Sequence, residues 1–321
     1  MPFILRPEFW LRGLALLITL AGAFFQAGVE RDLDAYFVER RGDLGEEVLE
    51  ERATVEDALV ERRTITSTNG LIVRIAVKRP ETPGPQRPAV VLLGGLRTGR
   101  DAVDLVPDTR GTILVAIDYP IEGERNPKGL AVLPAVPRIQ RAIRNTPLAL
   151  QLTLDWLLRQ PEVDPARVDL VGVSLGSTFA CVAGALDERF HRVWSIHGAG
   201  MPQRLIDEGL RSDIAFAPAR RAVARLATKL AQAEQLAPEH WIGRIAPREV
   251  VLVNALDDER LPRECVEALH SAAREPKTIV WLPGQHIEPD RETIVRNLIE
   301  MVLERIEQDG PIAPEQGAVR R

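Results

Sequence analysis

With 321 residues, 45% of them apolar and 27% charged, the chain has ample material for a buried core. Its 41 basic and 46 acidic side chains leave a net charge of −5, which argues against disorder and against a basic nucleic-acid binder. Two cysteines, Cys181 and Cys265, cannot build a disulfide framework and lack the paired spacing of a zinc site, so they are read as one bridge or as two buried thiols.

At the amino end, Arg6 and Arg12 precede an uncharged stretch, 13–29, that Glu30, Arg31 and Asp32 close. A basic start, a short apolar middle and small residues near Ala21 to Ala23 or Ala27 describe a signal peptide or membrane anchor over 1–29. That reading places the protein outside the cytosol, exported, periplasmic or tethered to an inner membrane. A helix packed on the main domain is the alternative, but the stretch has no polar face to give to water. From 30 to 63 both charge signs are dense, with Leu33, Phe37, Leu44, Val48, Leu49, Val55 and Leu59 at near-helical spacing, so a charged helical lead-in is expected.

The span 64–308 alternates strand and helix patterns. Segments 64–68 and 71–77 flank Asn69-Gly70, a hairpin signal, and the Pro-rich stretch 80–88 is a loop. Segments 89–93, 112–117, 168–173, 193–196, 250–253 and 278–281 are short apolar runs rich in Val and Ile, the pattern of parallel strands buried on both faces. Helix-compatible sequence stands between them, including 147–159. The predicted architecture is a doubly wound, mostly parallel α/β sheet. A helical insertion over 201–241 follows the sixth predicted strand, with Val223, Leu226 and Leu230 on one apolar face, either as a lid over the site or as packing on the sheet edge. Residues 309–321 are expected to form a flexible tail.

Chemistry begins at Gly172-Val173-Ser174-Leu175-Gly176. G-x-S-x-G arises by chance too often to carry a conclusion alone, but this one follows an apolar strand and opens a helix-compatible segment, the setting of a strained strand-to-helix turn. A serine hydroxyl needs a base, and the base needs an orienting carboxylate. Strand 250–253 runs into Asp257 and Asp258, and strand 278–281 runs into His286. Ligand sites of open α/β sheets lie at the carboxyl ends of the strands, so Ser174, the Asp pair and His286 can converge there.

These residues carry a resemblance. From about 63 to 307 the chain is similar to an α/β-hydrolase, in flavour the dienelactone hydrolase and prolyl-oligopeptidase-type branch. The approach 162–176, the acid loop Leu256-Asp257-Asp258-Glu259-Arg260-Leu261-Pro262 and the histidine loop Pro283-Gly284-Gln285-His286 match in the order Ser, Asp, His. The resemblance implies a serine hydrolase that cleaves an ester, thioester or amide through a Ser174, His286 and Asp258 triad. Asp258 is favoured because the family's carboxylate stands four residues before the proline, here Pro262, and Asp257 is the runner-up. The expected oxyanion donors are the N–H of Leu175, from the elbow, and that of Leu96, by resemblance to the family's His-Gly-x loop.

Departures from the pattern are Gly94 in place of the usual His, Ser177 in place of a frequent second Gly, and Asn254-Ala255 in place of a Gly before the acid. They leave a catalytically silent binding protein of the same fold as the alternative. Dehalogenases and epoxide hydrolases of this fold require Asp where Ser174 stands. His197 follows a strand and either lines the pocket or is a satisfied polar group near the sheet edge, while His191, His240 and His270 are expected at the surface. Arg97 and Arg100 either attract a carboxylated substrate or pair with acids such as Asp101 and Asp104. No metal, nucleotide or flavin motif is present, so the expected partner is a small-molecule ester or amide, without cofactor.

Overall fold

The computed structural model describes residues 33–310, apart from 56, 83 and 124–131. The apolar stretch before 30 therefore lies outside the described residues, as does 311–321. Among the described residues no helix is long and apolar enough to cross a membrane.

The described residues open with α1 (Leu33–Arg41) and a long antiparallel pair, β1 (Leu44–Val55) and β2 (Ala58–Ser67). The helical lead-in expected over 30–63 is therefore corrected: among its described residues only Leu33–Arg41 is helix, and strands follow. Every residue of β1 after Leu44 is exposed, so the strand shows no alternation of apolar and polar residues. Pairing with β2 holds it instead. Cross-strand ion pairs join Arg52 to Glu61, Arg63 to Glu47 and Arg62 to Glu51. Glu, Leu and Arg are good helix formers, and here tertiary pairing overrides that preference.

Asn69-Gly70 turns β2 into β3 (Ile72–Pro80) as an antiparallel neighbour, with Gly70 at φ +74°. Then come β4 (Arg87–Leu93), a short 3₁₀-helix (Gly99–Leu105) and β5 (Ile113–Ile117). The long α2 (Val132–Leu157) leads to β6 (Val163–Val173), α3 (Leu175–Leu186) and β7 (Arg192–Ile196). The helix expected at 147–159 starts earlier because α2 runs through Pro137 and Pro147. Proline fits a helix start most easily, so Pro147 reads in sequence as a boundary.

The insertion holds α4 (Pro202–Gly209), α5 (Ala217–Ala231) and the single turn α6 (Pro238–Trp241). Because β1 adds a strand, it follows the seventh strand and not the sixth. The chain finishes through β8 (Glu249–Ala255), α7 (Arg263–Ala272), β9 (Lys277–Leu282) and α8 (Glu292–Gln308). Asp309, expected in a flexible tail, caps α8 and joins the buried Arg192, which also pairs with Asp169 and Glu249.

Among the described residues, nine strands form one sheet in the order β1-β2-β3-β5-β4-β6-β7-β8-β9, parallel from β5 to β9. Successive residues of each strand face opposite layers. Val91, Leu170 and Val193 pack with Leu148, Leu152, Phe179 and Ala183 of α2 and α3. Val90, Val171 and Ile196 face the other way, toward Leu298 and Val302 of α8 and Val103 of the 3₁₀-helix. Two full helices cover the first face of the central strands, and α8 with a 3₁₀ turn covers the second.

Candidate active site

Ser174 is the single residue between β6 and α3, at φ +55° and ψ −119°. A non-glycine residue there is strained, and its neighbours hold it. Its N–H donates to the Ile196 carbonyl of β7 at 2.8 Å, and its own carbonyl accepts from Ser177 N–H at 3.0 Å. Both glycines of the motif are required by contact. A Cβ on Gly176 would stand 2.0 Å from the Leu93 carbonyl oxygen, and one on Gly172 would stand 2.5 Å from Ala180 Cβ.

The loops after β8 and β9 meet this turn. His286 Nε2 lies 2.9 Å from Ser174 Oγ, and His286 Nδ1 lies 2.8 Å from Asp258 Oδ2. The side chains of His286 and Asp258 are 2% and 4% exposed, so water does not compete for this chain. With Asp258 ionised, Nδ1–H is the donor to it, and Nε2 is left to accept from the serine hydroxyl. Asp258 Oδ1 accepts from the N–H groups of Arg260 and Leu261, each at 2.9 Å. Burial alone would raise the Asp258 carboxyl; hydrogen bonds from His197 and His286 outweigh it and hold the carboxyl well below the usual range. Asp257, one residue earlier, is exposed, and its N–H goes to the Gly284 carbonyl. Glu259 ties the histidine loop, accepting from His286 N–H at 3.0 Å and from Arg291 at 2.8 Å. Desolvation opposes its charge, yet Arg291 and that N–H lower it to about 2.

His197, which the sequence leaves either lining the pocket or satisfied near the sheet edge, sits at the end of β7 with φ +49° and 1% side-chain exposure. Its Nδ1 is 3.3 Å from Asp258 Oδ2 and 3.2 Å from Ile287 N. One nitrogen serves one of these partners at a time, donating to the carboxylate when it carries the proton and accepting from Ile287 N–H when it does not. Its ring meets that of His286 edge to face at 5.2 Å. His197, Asp258 and His286 also present ligand atoms within 4.8 Å of one another, a spacing that suits a cation, but His286 already bridges Ser174 and Asp258.

The loop after β4 closes the site from the other side. Tyr119 O–H donates to the Gly94 carbonyl at 2.7 Å, and Thr98 Oγ1 donates to the Gly95 carbonyl at 3.1 Å. Gly94 suits this arrangement because a Cβ there would stand 2.3 Å from Thr98 Oγ1. Among the described residues, neither Leu96 N–H nor Leu175 N–H is used by another residue. Arg97 and Arg260 both pair with Glu288, linking the loops after β4, β8 and β9 across the mouth. Arg100 pairs with Glu50, whereas Asp101 and Asp104 pair with Arg62 and not with the loop arginines.

The sequence departures form a buried polar layer beneath the site. Ser177 Oγ and Ser195 Oγ share a hydrogen bond of 2.6 Å, and Gly198 makes the room, since a Cβ there would lie 2.0 Å from Ser177 Oγ. Asn254 donates to the Gly198 carbonyl at 3.0 Å and accepts from His270 Nε2 at 2.9 Å. His270 is thus buried, a correction to its expected surface place, whereas His240 is exposed and His191 is half-buried beside Asp169. Cys181 and Cys265 are free, buried thiols.

Burial first, then Arg263 and Lys277, lower His270 from 6.5 to about 4. The folded state therefore binds its proton more weakly than the unfolded chain. The stabilisation is complete above the unfolded value of 6.5 and is lost as pH falls toward 4. Between pH 6.5 and 4 the wild type should lose roughly 1–3 kcal/mol through this residue, and His270→Gln should flatten that limb. Urea midpoints across the window check this, and parallel curves for the two proteins would refute it.

A cavity of about 320 Å³ opens beside Ser174, Leu96 and Leu175. No residue of the insertion lines it, Val223, Leu226 and Leu230 included. The insertion packs instead against α2 and α3, on the other face of the sheet.

The parallel sheet, the reversal of strand order at β5-β4 and the strained serine between β6 and α3 define the α/β-hydrolase fold. Similar solved structures include acetyl xylan esterase 1 from Thermoanaerobacterium sp. JW/SL YS485, at 20% identity and TM-score 0.61, covering 85% of this chain and 94% of that one. The 2,6-dihydroxy-pseudo-oxynicotine hydrolase aligns at 20% identity and TM-score 0.56, over 82% of this chain and 72% of its own. A puromycin-hydrolyzing peptidase from Mycobacterium tuberculosis aligns at 17% identity and TM-score 0.54, over 80% of this chain and 47% of its own. No family model matches the chain, and no curated protein matches its sequence.

Proposed function

We propose that the protein is a serine hydrolase that cleaves an ester, thioester or amide bond through an acyl-enzyme. The observation that carries this reading is the buried chain from Ser174 Oγ through His286 to Asp258, with links of 2.9 and 2.8 Å, at the mouth of a cavity. In this reading Ser174 Oγ attacks the acyl carbon while His286 Nε2 takes its proton, and Asp258 holds the imidazole in place and stabilises its charge. The N–H groups of Leu96 and Leu175, free of other acceptors, receive the developing oxyanion. His286 then returns the proton to the leaving oxygen, sulfur or nitrogen. Water, deprotonated by the same imidazole, attacks the acyl carbon, and the imidazolium returns that proton to Ser174 Oγ as the acid leaves. His197 serves as a positioning residue that keeps Asp258 partnered beside His286. Esterases and a peptidase among the similar structures favour acyl transfer within this fold.

A fluorophosphonate probe tests the reading, since Oγ displaces fluoride to form a stable phosphonyl-serine. Wild type should label at Ser174, and Ser174→Ala and His286→Ala should not label. Undiminished labelling of Ser174→Ala would remove Ser174 as nucleophile.

A further inference from the structure

The cavity beside Ser174 is not a surface dish. It descends between the sheet and α8, from Leu92 and Val173 near the serine to Val90, Leu114 and Val171 deeper down. Val295, Leu298 and Val302 form its opposite wall, and Thr109 and Thr112, in the loop before β5, close its floor. The charged lining residues, Arg97, Arg260 and Glu288, all belong to the loops at the mouth. Below them the lining is aliphatic except for threonines.

The shape has a cause in the topology. A full helix between β4 and β5 would fill the space beside α8, but this chain places only the 3₁₀-helix Gly99–Leu105 there. The gap lies on the α8 face of the sheet, and below its mouth the walls are aliphatic apart from threonines.

We infer that this cavity takes the acyl group of the substrate as an extended aliphatic chain of roughly eight to ten carbons, making medium-chain fatty acyl esters or thioesters the substrate class. The inference rests on the serine-hydrolase reading above. The depth of the cavity sets the length. From Val90 to Gly94, four residues along β4, the depth is about 13 Å. An extended alkyl chain advances about 1.25 Å per bond for C–C bonds near 1.5 Å, so that depth takes about ten carbons. The ester carbonyl then lies at Ser174 between Leu96 and Leu175, with the alcohol or thiol portion outside, near the Arg97, Glu288 and Arg260 cluster.

A panel of p-nitrophenyl esters from acetate to palmitate, run beside fluorophosphonate labelling, tests this. For wild type kcat/KM should rise by up to about fourfold per added methylene, peak near octanoate to decanoate and then fall. Val302→Phe narrows the middle of the cavity and should lower the decanoate-to-butyrate ratio of kcat/KM at least tenfold. Leu114→Ala enlarges the deep end and should move the peak by about two carbons toward longer esters, which keeps the test open if Val302→Phe does not fold. Labelling of Ser174 with an acetate or butyrate optimum in wild type, or with a peak position unmoved in the folded variants, overturns the acyl cavity and leaves the hydrolase reading standing. Absence of both labelling and ester turnover overturns the hydrolase reading and this inference with it.

Discussion

Asp258→Asn should lower kcat about 10⁴-fold, the scale set by orienting carboxylates of this kind, while Asp257→Asn should change it less than about threefold. The two residues are adjacent in sequence, yet Asp258 is 4% exposed and bonded to His286 Nδ1, and Asp257 is exposed on the same loop. An amide at 258 can turn its NH₂ toward the imidazole, which reverses the tautomer and leaves Nε2 carrying a proton where Ser174 needs an acceptor. The loss should appear in kcat with fluorophosphonate labelling slowed in parallel, and KM should move little. A larger loss in Asp257→Asn than in Asp258→Asn would transfer the role to Asp257.

Gly176→Ala should cost more than about 4 kcal/mol, enough to remove most of the folded protein. The added Cβ would fall 2.0 Å from the Leu93 oxygen and 2.8 Å from its carbonyl carbon, and both belong to backbone at the end of β4, which the sheet prevents from yielding. Gly209→Ala is the control, since nothing lies within 4 Å of its added Cβ. Thermal melts of the two variants give the comparison, and a wild-type melting temperature for Gly176→Ala would mean that β4 and the serine turn do not meet as described.

Much of this was legible in the sequence because the apolar strands are short and each ends in a residue with chemistry. Val168 to Val173 announces Ser174, Val250 to Val253 announces the acid loop, and Thr278 to Trp281 announces His286. What could not be read depends on partners remote in sequence. β1 is an edge strand with charged, exposed residues, and only its pairing with β2 makes it a strand. His197 and His270 belong to no motif, and their burial follows from Asp258 and Asn254 reaching them across the sheet. A positive φ at His197 leaves no trace in its residue type. The cavity was the least legible feature. It lies where the connection from β4 to β5 carries only a 3₁₀-helix, and the insertion, which the sequence leaves as a lid or as packing, packs on α2 and α3.

The unequal covering of the two sheet faces bears on how such a protein can change over generations. Large fully buried side chains such as Leu148, Leu150, Leu152, Leu154 and Leu157 sit in α2, on the face away from the cavity, where losing one would cost about 2–5 kcal/mol. Leu298 and Val302 on α8 face the cavity as well as the second core layer, so exchanges among Val, Leu, Ile and Phe there change the shape of the cavity while the α2 face is untouched. Selection can therefore reshape what the molecule accepts on one side of the sheet while the other side keeps it folded, which separates the inheritance of specificity from the inheritance of stability.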